Sequence, residues 1–361
     1  MKVVSPLLKR VVYPSLARAG VFRRTCGTGL AVLTYHGILP RGYRLIDSGF
    51  DGNLICADIF RRQLILLKKN YSVISPEHVL AWCEGRAVLP ERAILLTCDD
   101  GLLNNLTEML PVLQQEGVEC LFFVTGASTG EARRTLWYED LFLIFFRAPT
   151  GPFEISRRDL KIAGELTTKE RRRSVWWNAV KRLSQVDDET RSGFLQAARL
   201  ALGVEPAEQR DDSVAEQRFG LLVRDELRAL LAAGMTIGAH TLNHPMLSQC
   251  PAAIARAEIV ESRASLEVAL RRPVWAMAYP FGDQESVTPE VMEMAKDAGY
   301  KAAFMNFGGG LGSPLPLHSL PRIHVTSQMS LAELEANVAG FYETLQRRVG
   351  RGQRLPLAAR G

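Results

Sequence analysis

Two carboxylates, Asp99 and Asp100, stand side by side in Thr97-Cys98-Asp99-Asp100-Gly101, directly after an apolar run. Adjacent carboxylates repel, and one takes up a proton unless a cation lies close by. A bound divalent metal resolves the conflict: one aspartate ligates it while the other stays free to take a proton. Two histidines four residues apart, His240 and His244, offer further ligands. If the segment after their strand turns helically, that spacing puts both imidazoles on one face. Two histidines and one carboxylate leave a position open for water, as a catalytic zinc site requires. The chemistry of such a set is metal-assisted hydrolysis. Each motif alone is ordinary, since Asp-Asp-Gly occurs in turns and paired histidines cap helices or face solvent.

Their placement makes them more than ordinary. From residue 31 the chain alternates short apolar runs with amphipathic ones, the pattern of an α/β fold. The expected strands are Ala31–Tyr35, Tyr71–Ile74, Ala93–Cys98, Cys120–Val124, Met235–Ala239, Val274–Tyr279, Lys301–Met305 and Pro321–Val325. Seven or eight parallel strands imply a distorted (β/α) barrel. Ser75 with Pro76 reads as a helix start, and Gly85, Gly117, Gly234 and Gly299 as helix ends. Four polar clusters then fall at the C-terminal ends of strands: Tyr35-His36, Asp99-Asp100, His240 to His244, and Tyr279-Pro280-Phe281-Gly282. In a β/α barrel those ends form the active-site face, so clusters distant in sequence converge there.

The expected organisation is a basic segment over 1–30, a barrel over 31–345 and a basic tail over 346–361. A helical insertion of about 129–222 interrupts the barrel after the fourth strand, with helical spacing in Arg171–Leu183 and Glu189–Leu202. Trp176 and Trp177 read as its core, with stacking on sugar rings as the alternative. The net charge of +5 sits at the ends: residues 1–25 and 347–361 hold eleven Lys/Arg and no acid. Removing those eleven from the 44 basic residues leaves 33 against 39 acidic ones, a body near −6. That excludes a nucleic-acid groove on the folded body. The basic ends are a candidate peripheral contact with anionic membrane. Six cysteines, Cys26, Cys56, Cys83, Cys98, Cys120 and Cys250, form no C-x-x-C pair and read as buried thiols. Lys9, Arg10 and Pro14 interrupt any signal-peptide core, and no run approaches the ~18 apolar residues of a spanning helix. The expected location is cytoplasmic or peripheral to a membrane.

Thr97 to Gly101 resembles the T-F-D-D-G motif of the NodB-like polysaccharide deacetylases, carbohydrate esterase family four, and His240-Thr241-Leu242-Asn243-His244-Pro245 is similar to their H-[ST]-x-x-H motif. The resemblance covers about residues 31–330 apart from the insertion. It implies a metal-dependent hydrolase that removes N-acetyl groups from an amino sugar, polysaccharide or saccharide precursor. Asp100, His240 and His244 would hold the metal, expected to be zinc, and Asp99 would be the base acting on a metal-bound water. Ala278 to Gly282 looks like the third motif, which assigns Tyr279 a main-chain role at the oxyanion.

Two departures stand out. The arginine that opens the third motif and orients the base is absent, and Arg322 is the candidate replacement. The late Leu-x-x-His motif that supplies the general acid is also absent. In the circularly permuted subgroup that resembles poly-N-acetylglucosamine deacetylases, the acid comes early in a Tyr-His motif. Leu33-Thr34-Tyr35-His36 fits that arrangement, so His36 is the expected acid and His324 its competitor. The alternatives are an O-acetyl esterase or small-molecule amidohydrolase on the same site, or a silent carbohydrate-binding protein, which would be expected to have lost a ligand or the base.

Overall fold

Short runs of Val, Ile, Leu and Phe become strands here because the sheet buries them on both faces, as parallel sheets do. In this computed structural model, which describes residues 8–25, 27–204 and 213–341, the strands are Leu30–Tyr35 (β1), Ser72–Val73 (β2), Ala93–Cys98 (β3), Leu121–Val124 (β4), Pro152–Arg157 (β5), Leu160–Glu165 (β6), Thr236–Ala239 (β7), Ala276–Ala278 (β8), Ala302–Phe304 (β9) and Ile323–His324 (β10). The main sheet runs β10-β1-β3-β4-β7-β8-β9, with β2 beside β3, and every pairing in it is parallel. Leu320 bridges to Phe304, and three residues on Ile323 pairs with Leu33, so one short segment ties the two ends of the sheet together. The result is the expected distorted (β/α) barrel, and all eight expected strands are present, some shortened at their ends.

Side chains alternate across this sheet with period two. Leu33, Ile94, Leu96 and Phe122 face the outer helices, while Val32, Leu95, Phe123, Ala278 and Phe304 fill the barrel. Continuing the inner set one step past each strand reaches His36 from β1, Asp99 from β3 and His240 from β7, with His324 ending β10. The alternation that packs the barrel therefore delivers these side chains to its mouth.

Helix punctuation follows the expected chemistry. Ser75 Oγ accepts from the His78 amide, and Gly117 closes its helix in the left-handed region at φ 62°. The helix that Gly117 ends begins as a π-helical turn, Asn105–Met109, before the α-helix Leu110–Glu116.

The segment after β4 forms the helices Trp137–Arg147, Lys169–Leu183 and Asp188–Leu202 around its own core of Leu141, Phe145, Ile155, Ile162, Val180 and Phe194. It also holds an antiparallel hairpin, β5-β6, which the expectation of a mostly helical insertion did not place. Alternating burial of Phe153 and Ile155, and of Leu160 and Ile162, fits two half-exposed strands, and the turn lacks the glycine that would have marked it because Arg158 adopts φ 51°. The cysteines need correction too: Cys98 and Cys120 are buried, Cys83 and Cys250 half-buried, and Cys56 is exposed just before the helix Ala57–Asn70. Cys26, Lys2, the first seven residues and the tail 346–361 lie outside the described residues, and with them most of the charge expected to touch a membrane. Among the described residues, no helix is long and apolar enough to cross a membrane.

Arg218 fastens the insertion to the barrel. Fully buried, it donates to Asp51 Oδ1 (3.2 Å) and to Glu139 Oε1 and Oε2 (3.0 and 3.3 Å), with its guanidinium 4.4 Å from the Phe219 ring and 5.2 Å from that of Phe50. Removing one partner of a buried charge cluster strands the others without solvent. Arg218→Met is expected to lower unfolding stability by about 3–5 kcal/mol, read from denaturant midpoints. A midpoint equal to that of the parent would show that the cluster carries no such load.

Candidate active site

The strand ends bring Asp100, His240 and His244 together, all buried, with ligand atoms within 4.8 Å of one another. His244 Nε2 lies 3.3 Å and His240 Nε2 3.6 Å from Asp100 Oδ1. Ligand atoms around a tetrahedral zinc with bonds of ~2.0–2.1 Å stand about 3.3 Å apart, so the spacing suits a divalent cation. Orientation supports the fit: His240 Nδ1 donates to the Ala278 carbonyl at 2.8 Å, which turns Nε2 toward Asp100. Charge supports it as well. Asp99 and Asp100 are both buried, and the Arg322 guanidinium beside them balances only one carboxylate.

The expected helical turn between the histidines is absent. Residues 240–246 form a loop, and Thr241 (φ 61°) and His244 (φ 58°) sit in the left-handed region. Asp100 (φ 77°) and Phe281 (φ 62°) do the same, so four of the seven described non-glycine residues with positive φ gather at this site. Left-handed kinks, not helical phase, aim the ligands. Such strain persists only where surroundings hold it. Here the Thr241 hydroxyl accepts from the His244 amide (3.0 Å), Trp137 Nε1 donates to the His244 carbonyl (3.2 Å), and Glu258 accepts from the Asn243 amide and side chain (2.8 and 3.0 Å). Gly101 is required for a related reason: at φ 72°, a Cβ would lie 2.9 Å from Val124.

Asp99 is held from the far side of β1. Arg322, just before β10, is fully buried and bidentate to it, Nη1 to Oδ1 at 2.7 Å and Nη2 to Oδ2 at 2.6 Å. Nε donates to the Met305 carbonyl (2.6 Å) and Nη1 also to Thr97 Oγ1 (3.0 Å), while the guanidinium lies 5.3 Å from the Phe123 ring. Burial alone would raise the Asp99 pKa, but the Arg322 charge, aided by His240, brings it below the usual value. For Asp100 burial is again opposed, here by hydrogen bonds from His240 and His244, and its pKa lies well below normal. Burial pushes the Cys98 thiol well up, which keeps that neighbour protonated.

His36 and His324 stand together, ring centroids 5.0 Å apart, and both line the cleft over the site. His36 Nδ1 and His324 Nε2 are buried without hydrogen-bond partners among the described residues. Burial, then His36 and Arg322, push the His324 pKa down to about 3. Tyr279 requires a correction: its amide donates to the Phe304 carbonyl at 3.1 Å within the sheet, and its hydroxyl to the His318 carbonyl at 2.9 Å. Its N–H is therefore not available to a substrate. Two residues on, Phe281 lines the cleft 5.1 Å from the His244 ring, and its amide has no acceptor among the described residues. The loop between β9 and β10 and the insertion complete a cleft of about 1260 Å³.

Sequence reasoning missed Phe281, Tyr138 and Glu258. Glu258 did leave a signal, an acid within the buried stripe Ala255, Ile259, Ser262 and Leu266 of its helix. Tyr138 left none, because its place depends on how the insertion folds back.

A barrel with convergent carboxylates and imidazoles at its strand ends defines a hydrolase of the deacetylase class. The chain belongs to the polysaccharide deacetylase family, which it matches over residues 86–185 and 196–303, and is thus a hydrolase of carbon–nitrogen bonds in acetylated sugars. Similar solved structures are the Streptococcus pyogenes deacetylase PplD in complex with acetate (18% identity, TM-score 0.54, 87% of this chain and 99% of that one) and IcaB from Ammonifex degensii (18%, 0.54, 87% and 98%). A de-N-acetylase from Aggregatibacter actinomycetemcomitans is also similar (14%, 0.51, 85% and 98%). At these identities the likeness is one of fold. A search of curated proteins finds no match.

The Asp99–Arg322 pair yields a pH prediction. A base must be ionised, and Arg322→Met leaves Asp99 buried without its cation, so its pKa rises. The acid limb of the kcat/KM profile is expected to move to higher pH in this variant. A limb that stays in place would mean that Asp99 is not the titrating base or that Arg322 does not tune it.

Proposed function

We propose that this protein removes N-acetyl groups from an amino-sugar residue of a saccharide, with Asp99 as base, His36 as acid, and a divalent metal, zinc by preference, held by Asp100, His240 and His244. The observation that carries the reading is the division of labour between the adjacent aspartates. Asp100 faces two imidazoles at ligand spacing, while Asp99 is held by Arg322 and lines the same cavity.

When bound, the metal would supply Lewis acidity toward the acetyl carbonyl and the attacking water. The chain's own groups do the rest. Asp99 takes a proton from water as its oxygen adds to the acetyl carbon, and the bidentate Arg322 keeps the carboxylate fixed and ionised. The Phe281 amide, in place of that of Tyr279, donates to the developing oxyanion. His36 then gives its proton to the departing nitrogen as the carbon–nitrogen bond breaks, releasing acetate and a free amine. His324, its pKa pushed down to about 3 by burial, is neutral at working pH and does not serve as the acid.

An amide leaving group needs that proton more than an ester does, so the presence of His36 at the mouth favours N- over O-deacetylation. Acetate release from N-acetylated sugars, oligosaccharides and lipid-linked precursors by zinc-loaded protein tests the reading. Asp99→Asn is expected to abolish release, and release by that variant equal to the parent would overturn the assignment of the base. His36→Ala is expected to lower turnover about 10²- to 10⁴-fold with metal retained. If His324→Ala loses more than His36→Ala, the acid is His324.

A further inference from the structure

The aromatic residues that the insertion brings to the cleft are of two kinds. Trp176 donates Nε1 to the Tyr138 carbonyl at 2.8 Å and packs edge-on against Phe142 and Phe50, ring centroids 5.6 and 6.4 Å away. Its polar atom has a partner and its ring a place between the insertion and the loop that carries Phe50. Trp177 and Tyr138 differ. Both are half-buried and line the cleft, and neither Trp177 Nε1 nor the Tyr138 hydroxyl has a hydrogen-bond partner among the described residues.

Their position is tied to the candidate reacting centre. The Tyr138 ring lies 4.7 Å from that of His244 and 5.5 Å from that of Phe281, and the Trp177 ring meets Phe281 edge-on at 5.4 Å. Tyr138 is fixed from behind by a neighbour in space and one in sequence: Trp176 holds its carbonyl, and Glu139, the next residue, is clamped by Arg218. Large amphipathic rings with free polar tips suit a partner that is apolar on one face and hydrogen-bonding at its edge. A pyranose ring has that character, with C–H groups on its face and oxygens around its rim.

We propose that Tyr138 and Trp177 are the saccharide contacts supplied by the insertion, Trp177 covering the face of the sugar that bears the acetyl group and Tyr138 donating its hydroxyl proton to a sugar oxygen. Trp176 and Arg218 are positioning residues behind them. The inference rests on the deacetylase reading and deepens it, since it assigns substrate recognition to a segment outside the barrel motifs.

Calorimetric titration of tri-N-acetylchitotriose into zinc-loaded Asp99→Asn protein measures binding without turnover. In that background Tyr138→Phe, which keeps the ring and removes one donor, is expected to weaken Kd by about 2- to 10-fold. Trp177→Leu is expected to weaken it about tenfold, as loss of a stacked ring implies. Both should retain the parent melting temperature, and if the leucine variant does not, Trp177→Phe replaces it with the same direction expected. Acetate release from the same trisaccharide by the wild type tests the underlying reading separately. Release together with variants that bind as tightly as the parent overturns this inference alone. Neither release nor binding overturns both.

Discussion

The Arg322–Asp99 pair is the constraint around which the rest of the site is arranged. Two adjacent carboxylates are buried at the end of one strand, and the interior tolerates them only if each has its own positive partner. Arg322 supplies one from a different strand, across β1, with both guanidinium nitrogens on both carboxylate oxygens. That frees Asp100 to turn, through its left-handed backbone, toward the two histidines. The same guanidinium is anchored by the Met305 carbonyl and by Thr97, so it also fastens together the ends of β9, β10 and β3. Closure of the barrel and ionisation of Asp99 are one interaction seen from two sides.

Much of this was legible in the sequence, for physical reasons that can be named. Strands buried on both faces must be apolar throughout, and their polar exits must then lie at the mouth, so Asp99, Asp100, His240 and His36 could be placed without coordinates. Arg322 was singled out by the resemblance, as the replacement for a missing motif arginine, and the structure places it on Asp99. Where the reading failed, the cause was local backbone geometry. The spacing of His240 and His244 invited a helical turn, but the residues Thr241 and His244 take positive φ, which no pattern of side-chain types announces. Tyr279 was assigned the free amide because the aromatic type was visible and the sheet register was not. The register gives that amide to Phe304 and leaves the one at Phe281 open.

The insertion shows a further limit. Its core, hairpin and helices are locally coherent, and its caps at Thr168 and Asp187 follow ordinary rules. How it folds back on the barrel depends on a buried arginine far from the motifs, Arg218, and on partners contributed by Asp51 and Glu139. Such long-range charge clusters have no period and no spacing, so they are invisible until the chain is folded. They nonetheless decide which aromatic rings reach the cleft.

The central claim is that one divalent metal sits on Asp100, His240 and His244 while Asp99 remains outside its coordination. X-ray absorption at the zinc edge, on protein loaded with one equivalent, reads the ligands directly. The account predicts two imidazole nitrogens with oxygen ligands and no sulfur, the same spectrum for Asp99→Asn, and loss of bound zinc in His244→Ala. A spectrum with sulfur ligation, or stoichiometric zinc retained unchanged in His244→Ala, would contradict it.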